Sequence, residues 1–597
     1  MSDAVTAPTQ AVTTVDERPR RLPGAVIAAL AYTLVTIVIF PDVLLHLSTT
    51  TLGADAEGDK FYFPWYFWHF KEAVLHGWDP AYTSSIFALY NCQIAVLEGT
   101  LFGATGGALT ALFGPIAAYN LLVISSFPLA GLAVYMLAGE VAGSKIARFA
   151  AGFCYTFSTF HFFLALGHPQ VLLEFMPLFA WRLLVFYRVP TIRNAVLAGV
   201  TLAVVPLFDV YLGAYFVLPF VLFSVVVLLV FDRRRFLQRP VMVGSAVIVV
   251  IAAVLTAYDA GGLLSLQRDV VANIAATSAG AAGLSADLGA FFLPSPFNPF
   301  AGAATLPFYE HMTAYVFPIE ESGFLGYVAL ALAIAAMVMP RTRKLRRVWF
   351  WGAFAVLGIL LALGPELRVF GHPVLPLPFY KLLYGWSALS SFRAPNRLVV
   401  IPLLSLAMLA AVALDALYAG LRTARARTVA NTALAVGLLV TLLTNVVFGI
   451  TYPSASVVVP PVYATIAADP SDVLLLDLPI TDSFRAQFYQ TVHTKRLVNG
   501  IATRYSPEMR ASAESVPYVA LFDVTGESGI NMAGARNDVH IAKTDLAEQW
   551  TRRNIHYVVL HPLADPTSLD WARRFLTANL GVPAVVDDTF HIVVWHI

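Results

Sequence analysis

Three carboxylates crowd the stretch Gly53–Pro64, which reads GADAEGDKFYFP: Asp55, Glu57 and Asp59, followed at once by Lys60 and Tyr62. They separate the first long apolar run from an aromatic patch, residues 61–68. Acids in such a place can act as a general base toward a hydroxyl, or help hold a divalent cation such as Mg or Mn. In an extended loop the three alternate acids point to one side. The alternative is a solvated loop in which Asp59 caps a helix over 61–76. A second set of polar groups stands at the ends of other apolar runs. His168 and Gln170 form a turn, with Glu174 one turn into the next run, and Asp209 is followed by Tyr211, Gly213 and Tyr215. The segment 391–397, SFRAPNR, carries Arg393 and Arg397. Arginine binds phosphate in a bidentate way, and Arg397 stands at an expected helix start, where the helix dipole favours an anion. The competing reading pairs these arginines with Glu320, Glu321 or Glu366. The proline-rich stretch 364–391 adds Lys381 and Trp386, and suits an interfacial hairpin beside a lipid head group.

The elements that must position these residues are helices in lipid. Of 597 residues, 58% are hydrophobic and 13% charged, with a mean hydropathy of +0.71; a soluble domain carries about 25% charged residues. Apolar runs long enough to span a bilayer recur at 24–41, 116–138, 146–166, 169–187, 192–207, 210–231, 241–258, 322–340, 347–363, 397–418 and 429–450. The expected fold class is thus a polytopic α-helical membrane protein of about 11 spans. The segment 94–113 is apolar but holds Glu98 and several glycines, which suits an interfacial or re-entrant piece better than a span. Basic clusters at Arg18/Arg20/Arg21, Lys145/Arg148, Arg188/Arg193, Arg233–Arg235, Arg341–Arg347 and Arg422/Arg425/Arg427 all fall on one side if 94–113 does not cross. By the positive-inside rule that side is the cytoplasm.

The expected organisation has three parts: a disordered cytoplasmic tail over 1–22, a transmembrane part over 23–450, and an exoplasmic α/β domain over 451–597. The long loops 42–115, 259–321 and 364–396 share the exoplasmic side with nearly all the isolated acids and histidines, while the cytoplasmic loops are short and basic. In the last part, 472–478, 556–561 and 590–597 read as buried strands, and 483–492 and 544–554 as helices. The expected location is the plasma (inner) membrane. A net charge of +1 gives no bulk basicity to attract nucleic acid. Cys92 and Cys154 have no metal-ligand spacing and read as small apolar residues.

The stretches GDKFYFPWYFWHFKEAVLHGWDPAY, AGFCYTFSTFHFFLALGHPQ, SFRAPNRL and FYQTVHTKRLVNG, in this order and on one membrane side, resemble the GT-C superfamily of integral-membrane glycosyltransferases, in its poorly characterised bacterial branch. The resemblance covers most of the chain. It implies a polyprenyl-phosphate-linked sugar as donor and a hydroxyl of a cell-envelope glycan, lipid or protein as acceptor. It also implies that an acid of the first exoplasmic loop, here Asp59 or Asp55, is the general base or orients the acceptor. Arg393 and Arg397, with Lys381, would bind the donor phosphate. The paired acids usual in the superfamily are here spread over Asp55, Glu57 and Asp59, which leaves the choice of base and the need for a metal open. Two other classes compete, a lipid or saccharide flippase and a non-catalytic assembly protein. Mid-membrane charges with internal repeats favour the first; the lack of a pocket joining Asp59 to Arg393 favours the second.

Overall fold

The structure is a computed structural model that describes residues 22–53, 58–90, 94–96, 98–167, 172–274, 284–312, 323–378, 380, 394–479, 484–502, 507–522, 544–562 and 566–597. A helix lies at each expected apolar run, among them Leu22–Ile39, Pro115–Ala138, Ile192–Phe208, Arg346–Ala362, Val400–Ala419 and Ala424–Asn445. Among the described residues four helical stretches are long and apolar enough to cross a membrane: Pro115–Ala138, Arg239–Gly262, Pro395–Ala419 and Ala424–Asn445. Their burial differs sharply. The apolar window of Pro395–Ala419 is 94% buried, that of Ala424–Asn445 only 6%. The first is a central post packed by Arg346–Ala362, Tyr327–Val338 and Lys145–Thr156. The second turns valines and leucines outward, an arrangement stable where lipid rather than water is the solvent.

Two runs differ from expectation. The run 146–166 breaks at Phe157 and Ser158 into helices Lys145–Thr156 and Thr159–Gly167. The run 241–258 does not end there, because helix Arg239–Ile274 continues well past it. Its continuation is held by side chains from the first loop: the hydroxyl of Tyr258 donates to Asp79, and Asp259 accepts from Thr100.

The long first loop folds into a helix pair. Helix Asp59–His76 follows Gly58 and ends at Gly77 in the left-handed conformation, while Thr100–Phe113 runs beside it. At 14 residues the second helix is about 21 Å long, well short of a bilayer core. An aromatic run such as 61–68 suits the membrane interface, where tryptophan and tyrosine prefer to sit. Instead Phe61, Tyr62, Phe63, Trp65, Tyr66 and Phe67 are all buried, and the helix opens to the outside only beyond Phe70. The reason is enclosure: Thr100–Phe113, Pro115–Ala138 and Phe484–His493 pack around it.

The last part forms a five-stranded sheet. Strand Leu474–Leu478, buried at every residue, is flanked by parallel strands Arg496–Leu497 and Ile555–Leu560; Ile592–His596 and Val585–Asp587 then continue antiparallel. Backbone bonds tie this sheet to the first loop. Leu497 N donates to Ser85 O at 2.8 Å and Phe87 N to Asn499 O at 3.4 Å, while Thr50–Leu52 pairs with Ser454–Ser456.

The close approach of the helix pair depends on glycine. A Cβ at Gly106 would lie 2.1 Å from Cδ1 of Phe67, and one at Gly103 would lie 2.3 Å from Cδ2 of Phe70. We expect Gly106→Ala to cost about 1–3 kcal/mol, the usual range for an overpacked core. A lowered thermal midpoint in detergent or nanodiscs checks it; an unchanged midpoint would mean that Phe67 moves aside freely.

Candidate functional site

The site grows from the start of helix Asp59–His76. Asp59 is its first residue, and Asp55 and Glu57 lie outside the described residues. Lys60 is buried, with its ammonium 5.6 Å from the centroid of the Phe61 ring. The other side of the cluster is supplied from 420 residues away, where the Arg485 guanidinium sits 4.9 Å from the same ring. One turn on, Tyr62 donates to Glu98 Oε1 at 3.0 Å, and Tyr66 lies 3.5 Å from both Gly99 O and Glu98 N. Burial pushes the Tyr66 phenol far above its ordinary range, and the Glu98 and Asp259 carboxylates add to this. Glu98 and Asp259 therefore share this neighbourhood, although nothing in the sequence singled either out for chemistry.

Asp259 also caps a helix across the chain. The residue before Thr100–Phe113 is Gly99, which has no side chain to offer, and Asp259 accepts both the Thr100 N–H (3.0 Å) and the Thr100 hydroxyl. Gly99 itself is required by contact: a Cβ there would lie 2.6 Å from Leu207 O and 2.9 Å from Phe208 O. The Glu98–Thr100 segment thus rests on the end of helix Ile192–Phe208, and Asp209 is the next residue, 1% exposed and extended.

Beyond Asp209 the helix re-forms through a single π turn, Gly213–Val217. π turns inside α-helices often mark functional sites. Here Tyr215 Oη accepts the Ala394 N–H at 3.2 Å, which ties down the start of the 3-10 helix Pro395–Val399 and with it Arg397, which is half-buried. A path of connected segments therefore runs from the start of helix Asp59–His76 through Tyr62 and Glu98 to Thr100 with Asp259, to Asp209 at the end of helix Ile192–Phe208, and through Tyr215 and Ala394 to the segment that carries Arg397. Of the residues expected from the sequence, Lys60, Tyr62, Asp209 and Arg397 are on this path and Asp59 begins its helix. His168, Gln170, Lys381 and Arg393 lie outside the described residues, as does Cys92. Cys154 is a buried free thiol.

A second polar set lies deeper. Ser126 Oγ stands 2.6 Å from Glu174 Oε2 and 3.2 Å from His161 Nε2, and His161 Nδ1 is 2.8 Å from Thr156 O. A carbonyl only accepts, so Nδ1 carries hydrogen, and Ser126 has one proton to give. All these contacts are satisfied when one further proton resides on either Glu174 or His161. The set is then neutral overall, which suits its burial.

Among the described residues no three of His, Cys, Asp and Glu come close enough together to hold a metal ion.

The fold is shared with a solved arabinofuranosyltransferase structure. The chain aligns with the arabinofuranosyltransferase AftD from Mycobacteria at a TM-score of 0.59 and 16% identity, over 96% of this chain and 40% of that one. It thus spans about two fifths of AftD. It also aligns, at a TM-score of 0.46 and 12% identity, with the oligosaccharyltransferase of Archaeoglobus fulgidus tethered to an acceptor peptide (94% of this chain, 71% of that one). A third alignment is to ArnT from Cupriavidus metallidurans bound to undecaprenyl phosphate, at 0.39 and 15% (96% and 98%). No protein-family model matches the sequence, and no curated protein matches it.

Two buried imidazoles outside the spans make stability pH-dependent. Burial holds His69 and His493 at about 4, against an ordinary 6.5. The unfolded chain therefore binds more protons than the folded one between those values, so stability falls as pH drops from 6.5 toward 4. The loss approaches about 2–3 kcal/mol for each ring. Thermal midpoints measured from pH 7 to 4 should fall, and His69→Phe, which keeps the stack on Trp65, should flatten the slope. An unchanged slope would show that His69 is already protonated in the folded state.

Proposed function

We propose that this protein is a membrane glycosyltransferase that moves a sugar from a polyprenyl-phosphate donor to a hydroxyl of a cell-envelope glycan, lipid or protein. The observation that carries the reading is the path from the start of helix Asp59–His76 through Glu98 and Asp209 to Arg397, inside a fold that aligns with AftD over 96% of this chain. The neighbours named above include an arabinofuranosyltransferase and a protein bound to undecaprenyl phosphate, which supports a lipid-linked donor.

In this reading an acid of the first loop, Asp59 first and Asp55 or Glu57 next, takes the proton of the acceptor hydroxyl. The acceptor oxygen bonds to the anomeric carbon as the bond from that carbon to the phosphate oxygen breaks. The polyprenyl phosphate leaves with the electron pair. Its growing charge is met by Arg397 and Arg393, with Lys381 beside them, and that stabilisation supplies much of the rate. Lys60 and Tyr62 support the acid side, Tyr62 by holding Glu98. Asp209 and the His168–Gln170 turn complete the donor side. Both substrates are taken from the exoplasmic face of the plasma membrane, with the N-terminus cytoplasmic and the part after 451 outside.

Sugar transfer measured with polyprenyl-phosphate sugars in proteoliposomes tests this. Asp59→Asn should lower kcat by about 100-fold or more, the usual worth of a positioned base. Arg397→Gln should do the same, with Arg397→Lys recovering only part, because a lysine cannot contact phosphate with two parallel hydrogen bonds. Full transfer in both Asp59→Asn and Asp55→Asn would refute the assignment.

A further inference from the structure

The last part of the chain holds a polar group that the proposed reaction does not use. Strand Leu474–Leu478 is followed in sequence by Arg496–Leu497 on one side of it, and then by Ile555–Leu560 on the other. The strand order therefore reverses between Leu474–Leu478 and Ile555–Leu560. In open sheets with parallel strands, ligands bind beyond the carboxyl ends of the strands at such a reversal. Asp477, near the end of the first strand, and His561, just past the end of the second, stand at this position.

Their geometry fixes which face of the imidazole is offered. Asp477 Oδ1 lies 2.8 Å from His561 Nε2, and the two side chains are 2% and 16% exposed. Tyr463 Oη closes the group, 3.2 Å from His561 Nε2 and 3.5 Å from Asp477 Oδ1. A carboxylate only accepts, so Nε2 carries the hydrogen and, in the neutral ring, Nδ1 has the free lone pair. The backbone fixes the residue as well, through His561 N to Leu478 O at 2.8 Å. Asp477 Oδ2 is buried with no hydrogen-bond partner among the described residues, and a carboxylate beside the ring disfavours an anion there. A hydroxyl donating to Nδ1 suits this pair.

The position relative to the candidate active site is short and direct. Tyr489 is 6.4 Å from the His561 ring, Phe488 is 6.2 Å from Tyr489, and Phe61 is 5.7 Å from Phe488. Helix Phe484–His493 thus has the Asp477–His561 pair near one face and the start of helix Asp59–His76 against the other.

We propose that His561, held by Asp477, is the polar contact of a second binding site, a subsite for a neutral saccharide at the carboxyl edge of the C-terminal sheet. On the glycosyl-transfer reading, on which this rests, the saccharide is part of the acceptor glycan. Its test uses the full chain in nanodiscs, with neutral arabino-, manno- and gluco-oligosaccharides as probes and an acidic oligosaccharide as control. Diethylpyrocarbonate, which attacks a free imidazole nitrogen, should modify His561, as read by peptide mass spectrometry. A neutral oligosaccharide at about four times its dissociation constant should slow that reaction about fivefold, and the acidic one should not. Saturation-transfer NMR of the same oligosaccharide should lose its signal in His561→Gln. That variant keeps an N–H for Asp477, so loss of signal there is not loss of fold. The signal should persist in Asp59→Asn. Failure of every neutral oligosaccharide to protect His561, or an unchanged signal in His561→Gln, would overturn the subsite. Full transfer by Asp59→Asn and Asp55→Asn with protection intact would instead refute the catalytic reading and leave the subsite standing.

Discussion

A buried side-chain hydrogen bond fixes the first-loop helix against the C-terminal sheet, beside the backbone bonds that tie the first loop to that sheet. Trp65 Nε1 donates to Gln490 Oε1 at 2.7 Å, between the first-loop helix and the first helix of the C-terminal sheet. Gln490 spends its two amide hydrogens on Ser85 O and Lys495 O, at 2.8 and 2.9 Å. Its donors and its acceptor are then satisfied in a place without water, where an unsatisfied amide would cost about 1–3 kcal/mol. Because helix Asp59–His76 is held on this side by Gln490 and on the other by the glycines of Thr100–Phe113, its first residues have a defined place. Tyr62 and, through it, Glu98 are positioned from that helix start.

The same helix explains why the site needs distant pieces of chain. Its aromatic side chains fill the space between the bundle and the sheet, which leaves the polar termini of neighbouring elements gathered at its rim. Gly99 meets the end of Ile192–Phe208, Asp259 caps Thr100–Phe113, and Tyr215 anchors Ala394. The Asp259 and Tyr215 contacts each satisfy a backbone N–H that has lost water, so the arrangement is fixed by hydrogen bonding at helix ends as well as by close packing. Apolar packing is dense both around this helix and around the central post Val400–Ala419.

How much of this was legible in the sequence depended on the range of the interaction that decided it. The long apolar runs mark helices because lipid demands internally satisfied backbone, and a helix stands at each. The strands Leu474–Leu478, Ile555–Leu560 and Ile592–His596 fall where short runs of valine, leucine and isoleucine place them. The extension of Arg239–Ile274 beyond its apolar stretch was not legible, since Tyr258 and Asp259 are held by residues 179 and 159 positions away. Nor was the enclosure of the aromatic run, whose composition equally fits an interface. Lys60, Tyr62, Asp209 and Arg397 could be named because polar residues at the ends of apolar runs stand out. Glu98 was visible only as a flaw in a possible span, and Arg485 carried no local signal at all.

The central claim is that helix Asp59–His76 couples the C-terminal sheet to the site through Trp65 and Gln490. A double-mutant cycle on Trp65→Phe and Gln490→Leu, read in both unfolding free energy and sugar transfer, tests it most directly. The account predicts a coupling of about 0.5–3 kcal/mol in unfolding, as expected for residues in contact, and a loss of transfer in either single variant that the second change barely deepens. Additive losses in both readouts would contradict it.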